Sequence, residues 1–267
     1  KAHGFIPVEE EAESVSKTLE YAYDDWTIAQ MAKAMNKTED YENYIKRAQY
    51  YKNVYDPSTK FMRGRIRNTW FEPFDPYEVN FNYTEANSWQ YSFYVPQDVS
   101  GFINILGGKD QLEAQLDKLF TAKTEITGTQ QVDITGLIGQ YAHGNEPSHH
   151  MAYLYNFVNK PHKTQQYVHQ ILTELYTNTP DGISGNEDCG QMSSWYVFSA
   201  LGFYPVTPGD DKYIIGTPLY DKASINLENG KTFTIQANNL SGQNKYIKAA
   251  FLNGKPLNHS YVYHKDI

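Results

Sequence analysis

The chain has 267 residues, of which 40% are hydrophobic, and a formal net charge of −8 with a sequence pI of about 5.5. This length is enough for one large domain, or for a large and a small one. The net negative charge argues against a nucleic-acid-binding protein, because such a protein would show a basic stripe and this sequence has none. The apolar runs are too short for a membrane span, which needs about 20 residues.

Aromatic residues make up 15% of the chain, and Tyr dominates them with 23 copies against 4 Trp. A Tyr ring with its polar tip suits a carbohydrate surface, although most of these rings are expected in the core. Cys189 is the only cysteine, so no intrachain disulfide can form, and this does not decide the compartment. The start KAHGFIPVEE has neither an initiator Met nor a signal peptide, which favours a fragment of a longer protein.

The first half of the chain has the apolar spacing of three and four residues that is typical of amphipathic helices. This spacing predicts helices over 9–35 and 40–55. Residues 60–84 are irregular and rich in aromatics, Arg and Pro, and a connection of this length is usually functional. Thr84 is predicted to cap a helix over 85–94. Further helices are predicted at 98–106, 110–120, 148–159, 163–177 and 190–201.

The character of the chain changes after Gly202. Apolar and polar residues alternate there around Asn-Gly pairs, which predicts hairpins. We therefore predict a mainly α fold, with a helical domain at 1–204 and a small C-terminal antiparallel β segment at 205–267. The helices could form a toroid of hairpins or a solenoid, and periodicity does not distinguish the two.

Three acidic stretches stand at predicted helix starts: NYTEANSWQY (82–91), HGNEPSHH (143–150) and GNEDCGQ (185–191). A helix N-terminus presents unpaired N–H groups and a partial positive charge, so simple capping explains any one of them. Capping does not require the aromatic and His residues that follow each stretch. Three such stretches together therefore indicate a functional site.

A pair of carboxyl groups in these stretches suits glycoside hydrolysis, which needs one protonated acid and one ionised partner. Glu85 is the candidate acid, because the apolar neighbours Trp89 and Phe93 would raise a carboxyl pKa. Asp188 is the candidate base, and Glu187 competes for that role.

The two GNE stretches also suit a hard cation, because calcium accepts carboxylate and amide oxygens. Asn145 and Glu146 offer one of each. A zinc site is the alternative, since His143, His149 and His150 are close in sequence. Adjacent His residues on a helix point about 100° apart, however, which disfavours zinc; hydrogen bonding to sugar hydroxyls or packing suits these residues better.

Five blocks in order resemble glycoside hydrolase family 92. They are SVSKTLEYAYDDWTIAQMAK (14–33), YTEANSWQY (83–91), VPQDVSGFINILGG (95–108), GNEPSHHMAYLY (144–155) and GNEDCGQMSSWYVFSALGFYPVTPG (185–209), and they extend over essentially the whole chain. The resemblance implies a calcium-dependent, inverting exo-α-mannosidase that trims α-linked mannose from N-glycans or mannan. Such enzymes are mostly bacterial and periplasmic, cell-surface or secreted.

The resemblance also implies an architecture in which an N-terminal β-sandwich is joined to an (α/α)6 barrel, with the active site between them. This chain would then carry most of the barrel and lack the sandwich. We expect the chain alone to be inactive, because part of the cleft would come from the missing lobe. Linkage depends on an outer subsite, and α-1,2 is the expected one.

The family's catalytic residues map onto two positions. Glu85 corresponds to the general acid, although Ala86 stands where Gly is common. Asp188 corresponds to the general base, and Asn186 replaces an additional Asp of some members. The implied calcium ligands are Asn145, Glu146 and Asp188, and the positions assigned to substrate binding are Trp89, Gln90, His143, His149 and Glu187.

Two other functions are compatible with a helical, aromatic-rich chain. A non-catalytic carbohydrate-binding helical module would hold sugars without cleaving them. A repeat scaffold would show a period of about 34 residues, which the sequence does not have.

Overall fold

The computed structural model describes residues 3–267, which form two compact units, 3–148 and 149–267. The fold is mainly helical with small, mostly antiparallel sheets, which confirms the predicted class. The compact units divide at 148/149, whereas the division predicted from the sequence is at 204/205. Within residues 3–267, no helix has both the length and the apolar character needed to cross a bilayer.

The first unit contains five α-helices and several short strands. The helices are α1 (Ser14–Ala34), α2 (Thr38–Arg47), α3 (Ser88–Tyr91), α4 (Val99–Leu106) and α5 (Lys109–Thr121), with 3-10 turns at Tyr50–Val54, Pro96–Asp98 and Glu146–Ser148. The strands are β1 (Tyr55–Asp56), β2 (Phe61–Met62), β3 (Arg65–Ile66), β4 (Thr69–Trp70), β5 (Glu78–Val79), β6 (Thr127–Gly128), β7 (Leu137–Ile138) and β8 (Tyr141–Ala142). β5 and β6 pair in parallel, and the other strands of this unit pair as antiparallel neighbours.

Helix α1 begins five residues later than the predicted start at residue 9, because Glu13 adopts a left-handed φ of 59°. The backbone N–H groups of Glu13 and Val15 donate to the carbonyls of Phe81 and Asn82, at 2.6 and 3.1 Å. These carbonyls satisfy N–H groups at the helix start, which have no partner within the helix. The N-terminus of α1 is therefore bound to the segment that leads to Glu85.

A buried ion pair supports the irregular segment between α2 and α3. Arg63 and Asp56 have side chains only 5% and 2% exposed, and their nearest charged atoms are 2.6 Å apart. Burial disfavours the charged form of Asp56, but hydrogen bonds from Ser58 and Arg63 outweigh it and hold the pKa of Asp56 below its usual range. This long connection is thus ordered by a specific polar contact.

The second unit combines two α-helices with the C-terminal strands. A 3-10 segment, Met151–Val158, stands where an α-helix over 148–159 was predicted, and α6 (Pro161–Glu174) and α7 (Gln191–Leu201) follow. The strands are β9 (Phe203–Tyr204), β10 (Lys212–Ile215), β11 (Lys222–Asn226), β12 (Thr232–Gln236), β13 (Phe251–Leu252), β14 (Lys255–Pro256) and β15 (Tyr261–Tyr263). They form the three-stranded sheet β15-β10-β9 and two separate hairpins.

Candidate active site

Glu85 lies on a turn before α3, and not within the helix as predicted. The helix begins at Ser88, and its N-cap is Asn87 in place of Thr84. The Asn87 side chain accepts from the Gln90 N–H at 3.3 Å, and the Asn87 N–H donates to Gln90 Oε1 at 3.0 Å. This reciprocal capping box explains the late start of the helix. It leaves Glu85 in the left-handed region, with φ 49°.

The Glu85 turn contacts the first GNE stretch directly. Asn145 Nδ2 donates to the backbone carbonyl of Glu85 at 3.1 Å. Asn145 is buried, whereas the residues Glu85 and Glu146 are exposed. The apolar sequence neighbours of Glu85 therefore do not bury it. The structure brings the predicted acid together with one predicted calcium ligand.

Trp89 and Gln90 point into the interior of the first unit. Their exposed fractions are 6% and 2%, and the Trp89 ring packs edge-on against Phe61 at a centroid distance of 4.7 Å. Among residues 3–267, Trp89 Nε1 and Gln90 Nε2 are buried donors with no hydrogen-bond partner. Such a group costs about 1–3 kcal/mol and calls for a functional explanation. These two N–H groups are therefore candidates for binding a ligand.

Gln140 holds the start of α3 in place. Its Oε1 accepts from Asn87 Nδ2 at 2.8 Å, and its Nε2 donates to the carbonyls of Lys123 and Glu125 at 2.6 and 3.0 Å. The side chain is fully buried. Sequence analysis did not identify Gln140, because nothing in its local pattern separates it from a surface glutamine.

His143 lies in the interior of the first unit. It is fully buried, and its Nδ1 is 2.8 Å from the hydroxyl of Tyr141. The Tyr141 ring in turn stacks on Phe120 at 5.1 Å. These contacts correspond to packing, which is one of the two roles that the sequence suggested for this residue.

In the second unit, Glu187 caps the first turn of α7 from outside the N-cap residue, which is Gly190. Its carboxylate accepts from the N–H and the hydroxyl of Ser193, at 3.0 and 2.9 Å. Asp188 follows in a left-handed conformation, with φ 50°, and its residue is exposed. Cys189 and Gly190 also have positive φ angles of 55° and 98° before α7 begins. Because Glu187 is engaged in the cap, Asp188 is the better candidate for the base.

His149 is linked to the same helix. It is 2% exposed, and its Nδ1 is 3.2 Å from Gln191 Nε2 in the first turn of α7. Its backbone carbonyl accepts from Trp195 Nε1 at 2.9 Å. Tyr176 lies parallel to the Trp195 ring, at a centroid distance of 6.1 Å. The packed rings of Tyr176 and Trp195 therefore support the loop that carries Asp188.

The residues beside the Glu85 turn offer oxygen atoms as possible metal ligands. Within residues 3–267, no group of three His, Cys, Asp or Glu side chains is arranged to hold a metal ion. Calcium can also use amide and backbone carbonyl oxygens, which such a group does not include. Asn145 and Glu146 supply an amide and a carboxylate oxygen next to the Glu85 turn, so their chemistry fits calcium.

Comparison with known proteins decides the family. Residues 1–267 match the model of the glycosyl hydrolase family 92 catalytic domain. The chain belongs to glycosyl hydrolase family 92. The resemblance inferred from the five sequence blocks is thereby confirmed.

Several relatives of this family 92 chain are known. A family 92 α-mannosidase from Bacteroides thetaiotaomicron, solved in complex with mannoimidazole, shares 46% identity over 99% of the chain, with a TM-score of 0.94. A family 92 inverting mannosidase from the same organism shares 37% identity over 99% of the chain, with a TM-score of 0.88. A protein from Arthroderma benhamiae described as an uncharacterized secreted glycosidase is 28% identical over 99% of the chain. The family 92 chain spans 36%, 37% and 36% of these three relatives, respectively.

Proposed function

We propose that the protein hydrolyses terminal α-linked mannose in mannosyl-oligosaccharides such as N-glycans, with Glu85 as general acid and Asp188 as general base. One observation carries the assignment. Both residues are exposed, and both lie at left-handed φ angles, 49° and 50°, on turns that precede a helix. A non-glycine residue in this region is uncommon and strained, and such strain concentrates at functional sites.

The proposed reaction inverts the anomeric centre. Glu85 gives its proton to the glycosidic oxygen as the bond from that oxygen to the anomeric carbon breaks. Asp188 takes a proton from a water molecule, which attacks the anomeric carbon from the opposite face. Mannose leaves as the β-anomer, and the scheme requires the two carboxyl groups to be about 6.5–9.5 Å apart.

Calcium is proposed as the cofactor, held by Asn145, Glu146 and Asp188. Their amide and carboxylate oxygens are the ligand type that calcium prefers. When bound, calcium would hold hydroxyl groups of the terminal mannose and favour a distorted ring. The Asn145 amide has a second role in this proposal, because its Nδ2 fixes the backbone of Glu85.

Substrate recognition is proposed to use the two buried donors of α3. Trp89 Nε1 and Gln90 Nε2 can donate to sugar hydroxyls. His149 is proposed to contribute through the loop that carries Asp188. Glu187 is proposed to hold that loop and to lie beside the sugar.

The full protein is proposed to have the wider architecture of the family. The helices of this chain would form part of an (α/α)6 barrel, with a β-sandwich lobe supplied by sequence outside the chain. The relatives are much longer than the chain, which spans 36% of the first of them. We also propose an α-1,2 linkage preference and a secreted, cell-surface or periplasmic location in a bacterium, and one relative is described as secreted.

Anomer-resolved hydrolysis by the full protein tests the proposal. Proton NMR of α-1,2-mannobiose digestion is expected to show β-mannose first, and a calcium chelator is expected to stop the reaction until calcium is returned. Glu85→Gln is expected to lower kcat by about 100-fold or more, the usual contribution of a general acid. Glu174→Gln, a carboxylate on α6 outside the site, serves as the matched control.

Three outcomes contradict the proposal in different ways. Release of α-mannose would refute inversion. Full activity in the presence of the chelator would refute the calcium requirement. Binding of mannobiose without hydrolysis, unchanged in Glu85→Gln, would support a non-catalytic carbohydrate-binding module.

A further inference from the structure

The turn that carries Glu85 is bound to the first helix from its N-terminal side. Besides the two backbone bonds at Glu13 and Val15, the Thr84 N–H donates to Ser16 Oγ at 2.8 Å. Ser16 is fully buried in α1. The residue immediately before Glu85 is therefore fixed to the first turn of this helix.

The same helix holds the turn from its C-terminal side. The Tyr91 hydroxyl, at the end of α3, donates to Glu20 Oε1 at 2.7 Å. Ser16 and Glu20 are four residues apart, so they lie one above the other on a single face of α1. Glu85 is thus between two attachments, Thr84 to Ser16 and Tyr91 to Glu20.

The protonation state of Tyr91 determines which group donates the hydrogen bond between Tyr91 and Glu20. Burial raises the pKa of Tyr91 far above its usual range, so its hydroxyl keeps its proton and donates. Burial also raises the pKa of Glu20, and its hydrogen bond with Tyr91 opposes that shift.

We propose that Glu20 and Tyr91 are positioning residues for proton donation by Glu85, acting through the Thr84–Tyr91 frame that they hold against α1. The proposal rests on the proposed function, in which Glu85 is the acid. The left-handed φ of Glu85 is unfavourable for a residue with a side chain, so contacts must hold the turn. The two attachments to α1 do this together with the bond from Asn145 to the Glu85 carbonyl. Loss of the Tyr91 hydroxyl would let the turn relax and move the carboxyl group.

Two substrates, assayed with the full protein, distinguish a positioning role of Tyr91 from a general loss of active structure. α-1,2-Mannobiose has a leaving group that needs a proton, whereas 2,4-dinitrophenyl α-mannoside has one that leaves without it. Tyr91→Phe is expected to lower kcat on mannobiose by about tenfold or more, because misplacing a catalytic group by about 1 Å can cost as much as 100-fold. On the dinitrophenyl substrate, kcat is expected to change by less than about twofold, because the acid supplies little there.

Glu20 is tested by two substitutions. Glu20→Gln keeps an oxygen acceptor for Tyr91 and is expected to retain the wild-type kcat within about threefold, whereas Glu20→Ala is expected to behave like Tyr91→Phe. The matched control is Tyr51→Phe, which removes another buried tyrosine hydroxyl that donates to a carboxylate, Asp98, at 2.9 Å. That pair does not contact the Glu85 turn, so its loss is expected to affect the two substrates equally.

Hydrogen exchange gives a readout that does not depend on activity. Tyr91→Phe is expected to speed exchange of the Thr84 amide by about tenfold, because weakening the frame opens its bond to Ser16. Tyr51→Phe is expected to leave that amide unchanged. Exchange is followed by NMR, which resolves the Thr84 amide from the other amides of residues 82–91.

The outcomes distinguish the two proposals. If the wild-type protein does not hydrolyse either mannoside, the proposed function is refuted and hydrogen exchange alone decides whether Tyr91 holds the turn. If Tyr91→Phe leaves the Thr84 amide unchanged, or lowers kcat equally on both substrates, the positioning role is overturned. If Glu20→Gln loses as much activity as Glu20→Ala, the acceptor role of Glu20 is overturned.

Discussion

Removing the side chain of Asn87 is expected to destabilise the protein by about 2–4 kcal/mol. Asn87→Ala loses the N-cap of α3, which contributes about 1 kcal/mol. It also removes the 2.8 Å donor to Gln140 Oε1, and an acceptor left buried without a partner costs about 1–3 kcal/mol. Asn87 is fully buried, so solvent cannot replace either bond.

Asn87→Ser separates the two contributions. Serine keeps a hydroxyl oxygen for the cap but is too short to reach Gln140, so its loss is expected to be about 1 kcal/mol smaller than that of alanine. Urea unfolding followed by tryptophan fluorescence measures both variants. Hydrolysis of α-1,2-mannobiose is measured in parallel, because the cap lies two residues from Glu85.

Two results would refute this reasoning. A loss below about 0.5 kcal/mol in Asn87→Ala would mean that the buried amide contributes no more than an ordinary surface side chain. Equal losses in the alanine and serine variants would mean that the capping box does not stabilise α3.

Three further predictions concern the backbone, the buried ion pair and the cap of α7. Gly139→Ala is expected to cost about 3 kcal/mol, because a Cβ would lie 2.3 Å from a backbone oxygen at the end of α5 and φ is +61°. Gly230→Ala has a similar φ of +79° and open space around the added Cβ, so it is expected to cost only about 1 kcal/mol. Thermal unfolding measures both glycine variants. Arg63→Met is expected to cost about 3–5 kcal/mol at neutral pH, because it leaves the buried carboxylate of Asp56 unpaired. The pKa of Asp56 is lower in the folded state than in the unfolded state. The stability from this pair is therefore present above about pH 4 and is lost as the pH falls through the folded-state pKa. In urea unfolding, the difference in stability between Arg63→Met and wild type should shrink over that range. Glu187→Ala is expected to cost about 1 kcal/mol in calorimetry, since two donors at the start of α7 lose their acceptor, and Glu187→Gln should lose less.

The start of α3 shows where local sequence stops being informative. Thr84 was predicted as the N-cap and this was wrong, because the helix is capped by Asn87, a residue type that caps equally well. Tertiary contacts decide between them, because the Thr84 N–H is bound to Ser16 and the Asn87 amide is bound to Gln140. These partners are 68 and 53 residues away in the sequence, respectively, and no local pattern indicates them.

Burial explains why the 3-10 segment after His150 was predicted as an α-helix, and turn chemistry explains why the C-terminal hairpins were predicted correctly. The segment Met151–Val158 is buried at six of its eight positions and carries no alternating polar face, so periodicity could not distinguish a 3-10 from an α conformation. The predicted hairpins are confirmed at both Asn-Gly pairs. Gly230 lies between β11 and β12, and Asn253 with Gly254 joins β13 to β14, all with positive φ.

The left-handed conformation of Glu85 and Asp188 has a consequence for mutational tolerance. Glycine adopts this conformation without the penalty of about 1–2 kcal/mol that a side chain brings, although it also has more freedom to lose on folding. Glu85→Gly and Asp188→Gly should therefore be neutral or slightly stabilising while abolishing hydrolysis. A library of variants selected for thermal resistance would enrich glycine at these two positions, and the same library selected for mannose release would remove it.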